Sequence, residues 1–467
     1  MRLVLLAAVP LFLADPSCTP YRLTGQGFVT NASHPRHPGD VLRVEAELAI
    51  TLDAPRGEAV IELASGDSTA RKVERWFVRR GRIFQVDEKG VEIPAGPARD
   101  LSAATVAALH PALVASAMRE RPENVHPTGG RRRLFAWNDE LWTVDLDGAG
   151  RIARLERETS SDLLGDGTEE LRYEAWQSAA SEDDETASFA QATGTALLRP
   201  GRVVVTARGR ELARFTFSDS VGVTDSVRVP AGEPRRDRGH VIAYDEIEFR
   251  EIAPRLFAAD LVSLNTRVVV AEFADHVAVL EGAYNSRICD PIVGRVAEQF
   301  GKPVRWFAFS HLHGQYIGGT RSWVYAGATV LVPPTTAPLV EEIVRARHER
   351  SPDLLAISPR PLRLETVKTR RRLEDSTNVL EIHNVESGHT DEYFLFWFPR
   401  QKVLMTGDLL FYRPGKPLAG RSKLLCETVK KLGLEPETLV ATWPLAGYDT
   451  RNVVTWAEFK AACVQPN

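Results

Sequence analysis

Phe307-Ala308-Phe309-Ser310-His311-Leu312-His313-Gly314-Gln315-Tyr316-Ile317-Gly318-Gly319 decides how the second half of this chain is read. The apolar run Val304–Ser310 predicts a buried strand. It ends on two histidines at i and i+2, whose side chains leave a strand end on the same side. A turn and two glycines then let a helix begin close by. Imidazoles at that spacing chelate one metal ion. His389, in Glu386-Ser387-Gly388-His389-Thr390-Asp391, lies in a loop between two predicted strands, and Asp408, in Leu404-Met405-Thr406-Gly407-Asp408, lies where another ends. Ligands at strand ends form metal sites because loops converge while the strands hold them. Taken alone, a His-x-His pair is more often two polar strand-end residues, and the weight here comes from all four positions together.

Around this stretch, short apolar runs alternate with amphipathic segments. Strands are predicted at Arg267–Glu272, Val277–Glu281, Val379–Val385, Glu392–Phe398 and Lys402–Thr406. Helices are predicted near Pro291–Phe300, over Pro338–Arg350 with proline at its start, and near Arg451–Cys463. Upstream the texture differs. From Leu42 to Val223 the apolar period is two, as in Val44, Ala46, Leu48 and Ile50 against Glu45 and Glu47. Tight turns such as Arg80-Gly81 and Asn138-Asp139 join the strands, with one helix, Ser102–Met118, bent at Pro111. A large antiparallel sheet follows, whose apolar face must be covered by that helix, by the other domain or by a ligand. The proline- and charge-rich stretch Val229–Gly239 reads as a linker. The expectation is an α+β two-domain chain: an export segment 1–20, an antiparallel β-rich domain 21–228, a linker 229–244 and an αβ domain 245–467.

The chain has 467 residues, enough for two to four domains at roughly 100–200 residues each. With 43% hydrophobic and 26% charged side chains it is an ordinary globular composition, which excludes collagen, coiled coil and disorder as descriptions of the whole. A net charge of -4 gives no basic field for nucleic acid or anionic lipid. Four cysteines (Cys18, Cys289, Cys426, Cys463) are too few and scattered for a disulfide scaffold or a thiolate zinc cluster. Arg131-Arg132-Arg133 and Arg370-Arg371-Arg372 read as solvated surface. Met1-Arg2, the apolar run Leu3–Ala14 and Asp15-Pro16 read as a signal peptide, shorter than a span of about 20 apolar residues. A periplasmic or secreted protein without a transmembrane span is expected. Asp15-Pro16-Ser17 is the wrong lead-in for a lipid on Cys18.

The region 245–467 resembles the metallo-β-lactamase fold superfamily, an αβ/βα sandwich. The resemblance rests on His311-Leu312-His313, Gly318-Gly319, Gly388-His389-Thr390 and Gly407-Asp408, in the family's order. It implies a zinc on His311, His313 and His389, with Asp408 as an additional ligand. This chain departs from the family at the second metal: Gln315 and Tyr316 stand where the family has Asp and His. Thr442–Tyr448 contains no histidine where the family has its last one. One zinc with three imidazoles and an open position still activates water, but loss of the carboxylate removes a proton acceptor, a factor of about 10²–10⁴.

The reading is therefore a divergent hydrolase with one zinc, attacking an ester, thioester or amide of a small, apolar or acylated substrate. Gln315 and Tyr316 would position water or substrate. Two alternatives stand beside it. One is a catalytically inactive binding or scaffold protein. The other is an iron-dependent sulfur dioxygenase, for which His311, His389 and Asp408 would form a two-His, one-carboxylate triad. The amino-terminal domain is loosely similar to the half-barrels of lipoprotein carriers, which would make it a shelter for an apolar ligand.

Overall fold

A computed structural model describes residues 20–31, 35–53, 56–66, 71–178, 198–222, 229 and 244–463. The expected export segment up to residue 19, Cys18 and most of the expected linker lie outside the described residues. The chain forms two compact units: Met1–Ala32, Val41–Thr159 and Gly167–Asp237 make the first, and Ser33–Asp40, Ser160–Asp166 and Arg238–Asn467 the second.

Alternation dictates the first unit. In strand Leu42–Asp53, Ala46, Leu48, Ile50 and Leu52 are buried while Glu45 and Glu47 face solvent. Twelve further described strands join it in one antiparallel sheet. Arg80-Gly81 and Asn138-Asp139 all have positive φ, as two-residue hairpin turns with right-handed strand twist require. Strand Tyr21–Asn31 lies outside the sequence expectation, because Gly25 and Gly27 lower its strand propensity. It closes the sheet between Leu42–Asp53 and Arg210–Gly222. A Cβ on Gly27 would lie 1.7 Å from the Arg214 carbonyl oxygen, so only glycine fits that register.

The expected helix Ser102–Met118 is instead two helices, Ala103–Ala107 and Pro111–Glu120. Pro111 lacks an amide hydrogen to continue the first and sits at the first position of the second. His110 caps that second helix, its Nδ1 accepting from the Ala112 amide at 3.2 Å. Val106, Leu113, Val114 and Ala117 pack in one core with Leu48, Ile61, Trp142 and Phe215 of the sheet. The helix pair thus covers the apolar face.

The second unit has two sheets. A seven-stranded one runs Arg250–Ala253, Leu256–Leu261, Thr266–Glu272, Val277–Leu280, Val304–Ala308, Thr329–Val332, Arg363–Thr366. A six-stranded one runs Arg370–Glu374, Val379–Val385, Tyr393–Phe398, Val403–Met405, Thr438–Val440, Val453–Thr455. Every residue of Tyr393–Phe398 is buried, because both faces of that sheet are covered. Phe394, Phe396 and Phe398 meet Val269, Ala278 and Leu331 of the other sheet. Leu395 and Trp397 meet Leu425 and Val429 of helix Gly420–Lys431 and Phe459 of helix Trp456–Cys463. On the far side, Val268, Val279 and Phe307 pack on Ile288, Ile292 and Val296 of helix Ser286–Phe300. The layers are helix, sheet, sheet, helix.

Three local features add to the sequence expectations. Arg370-Arg371-Arg372 is an edge strand whose side chains stay solvated, at 51%, 37% and 42% exposure. Glu381 on the neighbouring strand pairs with Arg370 at 2.6 Å and Arg372 at 2.5 Å, which compensates a row of like charges. Helix Gly420–Lys431 lies outside the sequence expectation: its buried stripe, Ser422, Leu425, Cys426 and Val429, is short and begins on a polar residue. Cys426 and Cys463 form a disulfide across 37 residues that ties this helix to the last one. A single covalent clasp of this kind leaves no spacing signature.

Phe396, with 0% exposure between the sheets, sets the first test. Phe396→Ala should lower the free energy of unfolding in urea by about 3–5 kcal/mol. Val262→Ala, at a side chain 66% exposed, should change it by less than about 0.5 kcal/mol.

Candidate metal centre

Strand Val304–Ala308 pairs in parallel with Val277–Leu280 on one side and Thr329–Val332 on the other, so its carboxyl end is held from both flanks. The chain then turns at Ser310, whose amide donates to Glu281 Oε2 at 2.9 Å, and delivers His311 and His313. Gly318 and Gly319 let the following helices lie close. A Cβ on Gly318 would be 1.9 Å from the Tyr284 carbonyl oxygen and one on Gly319 2.1 Å from Cys289 Sγ. Strands Val379–Val385 and Tyr393–Phe398 of the other sheet present His389 from the loop joining them. Asp408 follows strand Val403–Met405.

These four side chains converge: one ligand atom from each of His311, His313, His389 and Asp408 lies within 4.8 Å of all the others. His311 Nε2 is 2.9 Å from His313 Nδ1, and Asp408 Oδ2 is 3.1 Å from His389 Nε2 and 3.7 Å from His311 Nε2. A tetrahedral zinc with bonds of about 2.0–2.1 Å spaces its donors about 3.3 Å apart. The donor set and its spacing fit such an ion.

The rings are oriented from behind. Ser310 Oγ is 3.0 Å from His311 Nδ1, leaving Nε2 toward the cluster. His313 Nε2 donates to the Pro35 carbonyl oxygen at 3.1 Å, and since a carbonyl only accepts, His313 Nδ1 is the nitrogen that carries the lone pair. The amide of Asp391, two residues past His389, donates to the Arg36 carbonyl oxygen at 3.1 Å, and its carboxylate lies 3.3 Å from His37 Nδ1 and 3.4 Å from Arg36 Nη2, which holds the Pro35 segment in place. Ser310 adjoins His311 in the chain, but the Pro35 segment is not legible in the sequence as an orienting group, because it lies 278 residues from His313.

Burial pushes the His311 pKa well below its ordinary value, so the ring is neutral, as a ligand must be. For Asp408 burial acts upward, yet the His311 and His389 imidazoles and the Arg421 guanidinium outweigh it and hold the carboxyl well below the usual range. With His311 neutral, Arg421 is the permanent countercharge: its Nη1 donates to Asp408 Oδ2 at 3.0 Å and lies 3.3 Å from His389 Nε2. The Tyr393 hydroxyl accepts from the Asp408 amide at 2.8 Å and lies 3.1 Å from Oδ1. Tyr316 is fully buried with its ring 4.4 Å from that of His311, and Gln315 is half-buried beside it in the short helix Gly314–Ile317.

No family model matches the sequence, and no curated protein does. Among solved structures, the chain is similar to a metallo-β-lactamase from Pontibacter korlensis at 13% identity, over 46% of this chain and 97% of that one, with a TM-score of 0.36. It is also similar to a metallo-β-lactamase from Hirschia baltica at 15% identity, over 46% of this chain and 96% of that one, with a TM-score of 0.34. The four-residue cluster is compatible with the motif through which the sequence resembles that family.

Behind the cluster, burial raises the Glu281 pKa from near 4.5 to about 7, partly opposed by hydrogen bonds from Ser310 and Thr442. Folded protein then binds a proton that unfolded protein releases between those values. Stability of the metal-free protein is greatest below about pH 4.5 on this account and declines as pH rises to about 7. Glu281→Gln should flatten that decline in unfolding measured across this range; an unchanged slope would contradict it.

Proposed function

We propose that this chain is a divergent metallo-β-lactamase-like hydrolase with one zinc per chain on His311, His313 and His389, acting on an ester, thioester or amide of a small substrate. The observation that carries this reading is the convergence of three imidazole nitrogens, with the His311 and His313 rings fixed from behind. Zinc bound there supplies a water with a pKa near 7 and polarises a carbonyl. The chain's own residues do the rest. Ser310 orients the His311 ring, and the Pro35 carbonyl holds the tautomer of His313. Asp408, pinned by Tyr393 and Arg421, adds a carboxylate oxygen beside His389. Gln315 orients water without taking its proton. Tyr316 keeps its proton, since burial pushes its pKa well above 10, and so serves as a hydrogen-bond donor.

In this reading residues 1–20 are an export signal, 21–228 a β-rich domain, 229–244 a linker and 245–467 the catalytic domain. The Cys426–Cys463 disulfide supports export, because such bonds persist in oxidising compartments. No helix among the described residues is long and apolar enough to cross a membrane. Replacement of the family's Asp and His by Gln315 and Tyr316 favours a second reading, a binding protein without turnover.

Elemental analysis of purified protein beside a His311→Ala/His389→Ala double variant tests both. About one zinc per chain, lost in the variant, together with zinc-dependent hydrolysis of p-nitrophenyl acetate, is the expected result. Zinc without hydrolysis selects the binding protein, and iron in place of zinc selects the dioxygenase. No metal even after reconstitution would sink the metal site itself.

A further inference from the structure

Arg421 has more donors than Asp408 uses. Its Nη1 is shared between Asp408 Oδ2 and His389 Nε2, while among the described residues Nε and Nη2 have no hydrogen-bond partner. The side chain is 26% exposed, so these donors reach solvent at the edge of the four-residue cluster. Its position is held firmly. The guanidinium lies over the Phe411 ring at 4.4 Å, and Ser422 Oγ accepts from the Phe411 amide and donates to the Leu409 carbonyl, each at 2.8 Å. Those two bonds tie the start of helix Gly420–Lys431 to the loop that carries Asp408.

Beside the guanidinium is an aromatic wall. Phe411 packs on Trp443 at 5.7 Å and on Tyr448 at 6.2 Å, and Trp443 on Tyr448 at 5.0 Å. Tyr448 is 44% exposed. The electrostatics point the same way: with a divalent ion on three neutral imidazoles, the charges of Asp408 and Arg421 cancel. The full charge of the ion is then left to be met by whatever binds. A planar fork of free donors suits a carboxylate or phosphonate oxygen pair.

We propose that Arg421 is the specificity-determining residue of this site. It binds, through Nε and Nη2, the anionic group of a substrate whose adjoining part is apolar or aromatic and rests on Phe411, Trp443 and Tyr448. This rests on the metal site proposed above and names the class of its substrate: an amphiphilic anion.

Calorimetric titration of the full chain, zinc-loaded and metal-free, with phenylphosphonate, inorganic phosphate and benzamide tests it. Arg421→Met should weaken phenylphosphonate about tenfold or more, the scale of a charge-assisted hydrogen bond. Arg421→Lys should recover part of that loss, because it keeps the charge without the fork. Neutral benzamide should bind wild type and both variants alike. Tyr448→Ala should weaken phenylphosphonate by about threefold and leave inorganic phosphate unchanged. Equal phenylphosphonate affinity in wild type and both Arg421 variants, at unchanged zinc content, overturns the proposal. If circular dichroism shows that Arg421→Met does not fold, Arg421→Lys decides alone: about a threefold loss supports the proposal and no loss overturns it. A wild type that takes up no zinc refutes the metal site, and the metal-free titrations then judge Arg421 by the same comparison.

Discussion

Asp408 is an ionised carboxylate only 2% exposed, and a charge so far from water must be met from within the protein. Its neighbours are arranged around that demand. Tyr393 caps its amide and one oxygen, while Arg421 and His389 meet the other. Arg421 in turn leans on Phe411, and Ser422 ties the helix start to the Asp408 loop. The histidines share the same enclosure, so the carboxylate and its Arg421 countercharge stay fixed beside them.

That enclosure exists because of the layers. The two sheets press Phe394, Phe396 and Phe398 against Val269, Ala278 and Leu331, and helices cover both outer faces. Strand ends are therefore rigid while the loops beyond them are free to turn. Ser310–His313 leaves one sheet, and His389 and Asp408 leave the other. A site assembled from both sheets holds its geometry only while the core between them stays packed, which links packing to the chemistry at the edge.

How much of this is legible from residues alone differs by element. His311, His313, His389 and Asp408 can be read because each follows a buried run and sits beside glycine or a turn, which are local signals. The period-two strands of the first unit are readable for the same reason. Strand Tyr21–Asn31 is not, because Gly25 answers to Phe217 and Gly27 to Arg214 across the sheet, and glycines carry no apolar pattern. Helix Gly420–Lys431 is harder to read because its helical stripe, Ser422, Leu425, Cys426 and Val429, holds only three apolar residues, and packing on the second sheet supplies the rest. With that helix goes Arg421, the residue that completes the electrostatics of the site.

The sequence by itself determined which side chains emerge together: ligand-type residues at strand ends, a glycine pair that admits a helix, and the replacement of a carboxylate and an imidazole by Gln315 and Tyr316. Only the tertiary structure decided what stands behind and beside them. The Pro35 carbonyl that sets the His313 tautomer is 278 residues away in sequence, and the Arg421 countercharge comes from a helix whose spacing does not say that Asp408 lies beside it. The reason is physical. Spacing along a chain encodes which residues share a face over a few ångströms, whereas the partner of a buried charge or ring nitrogen is whatever chain closure brings within hydrogen-bond distance.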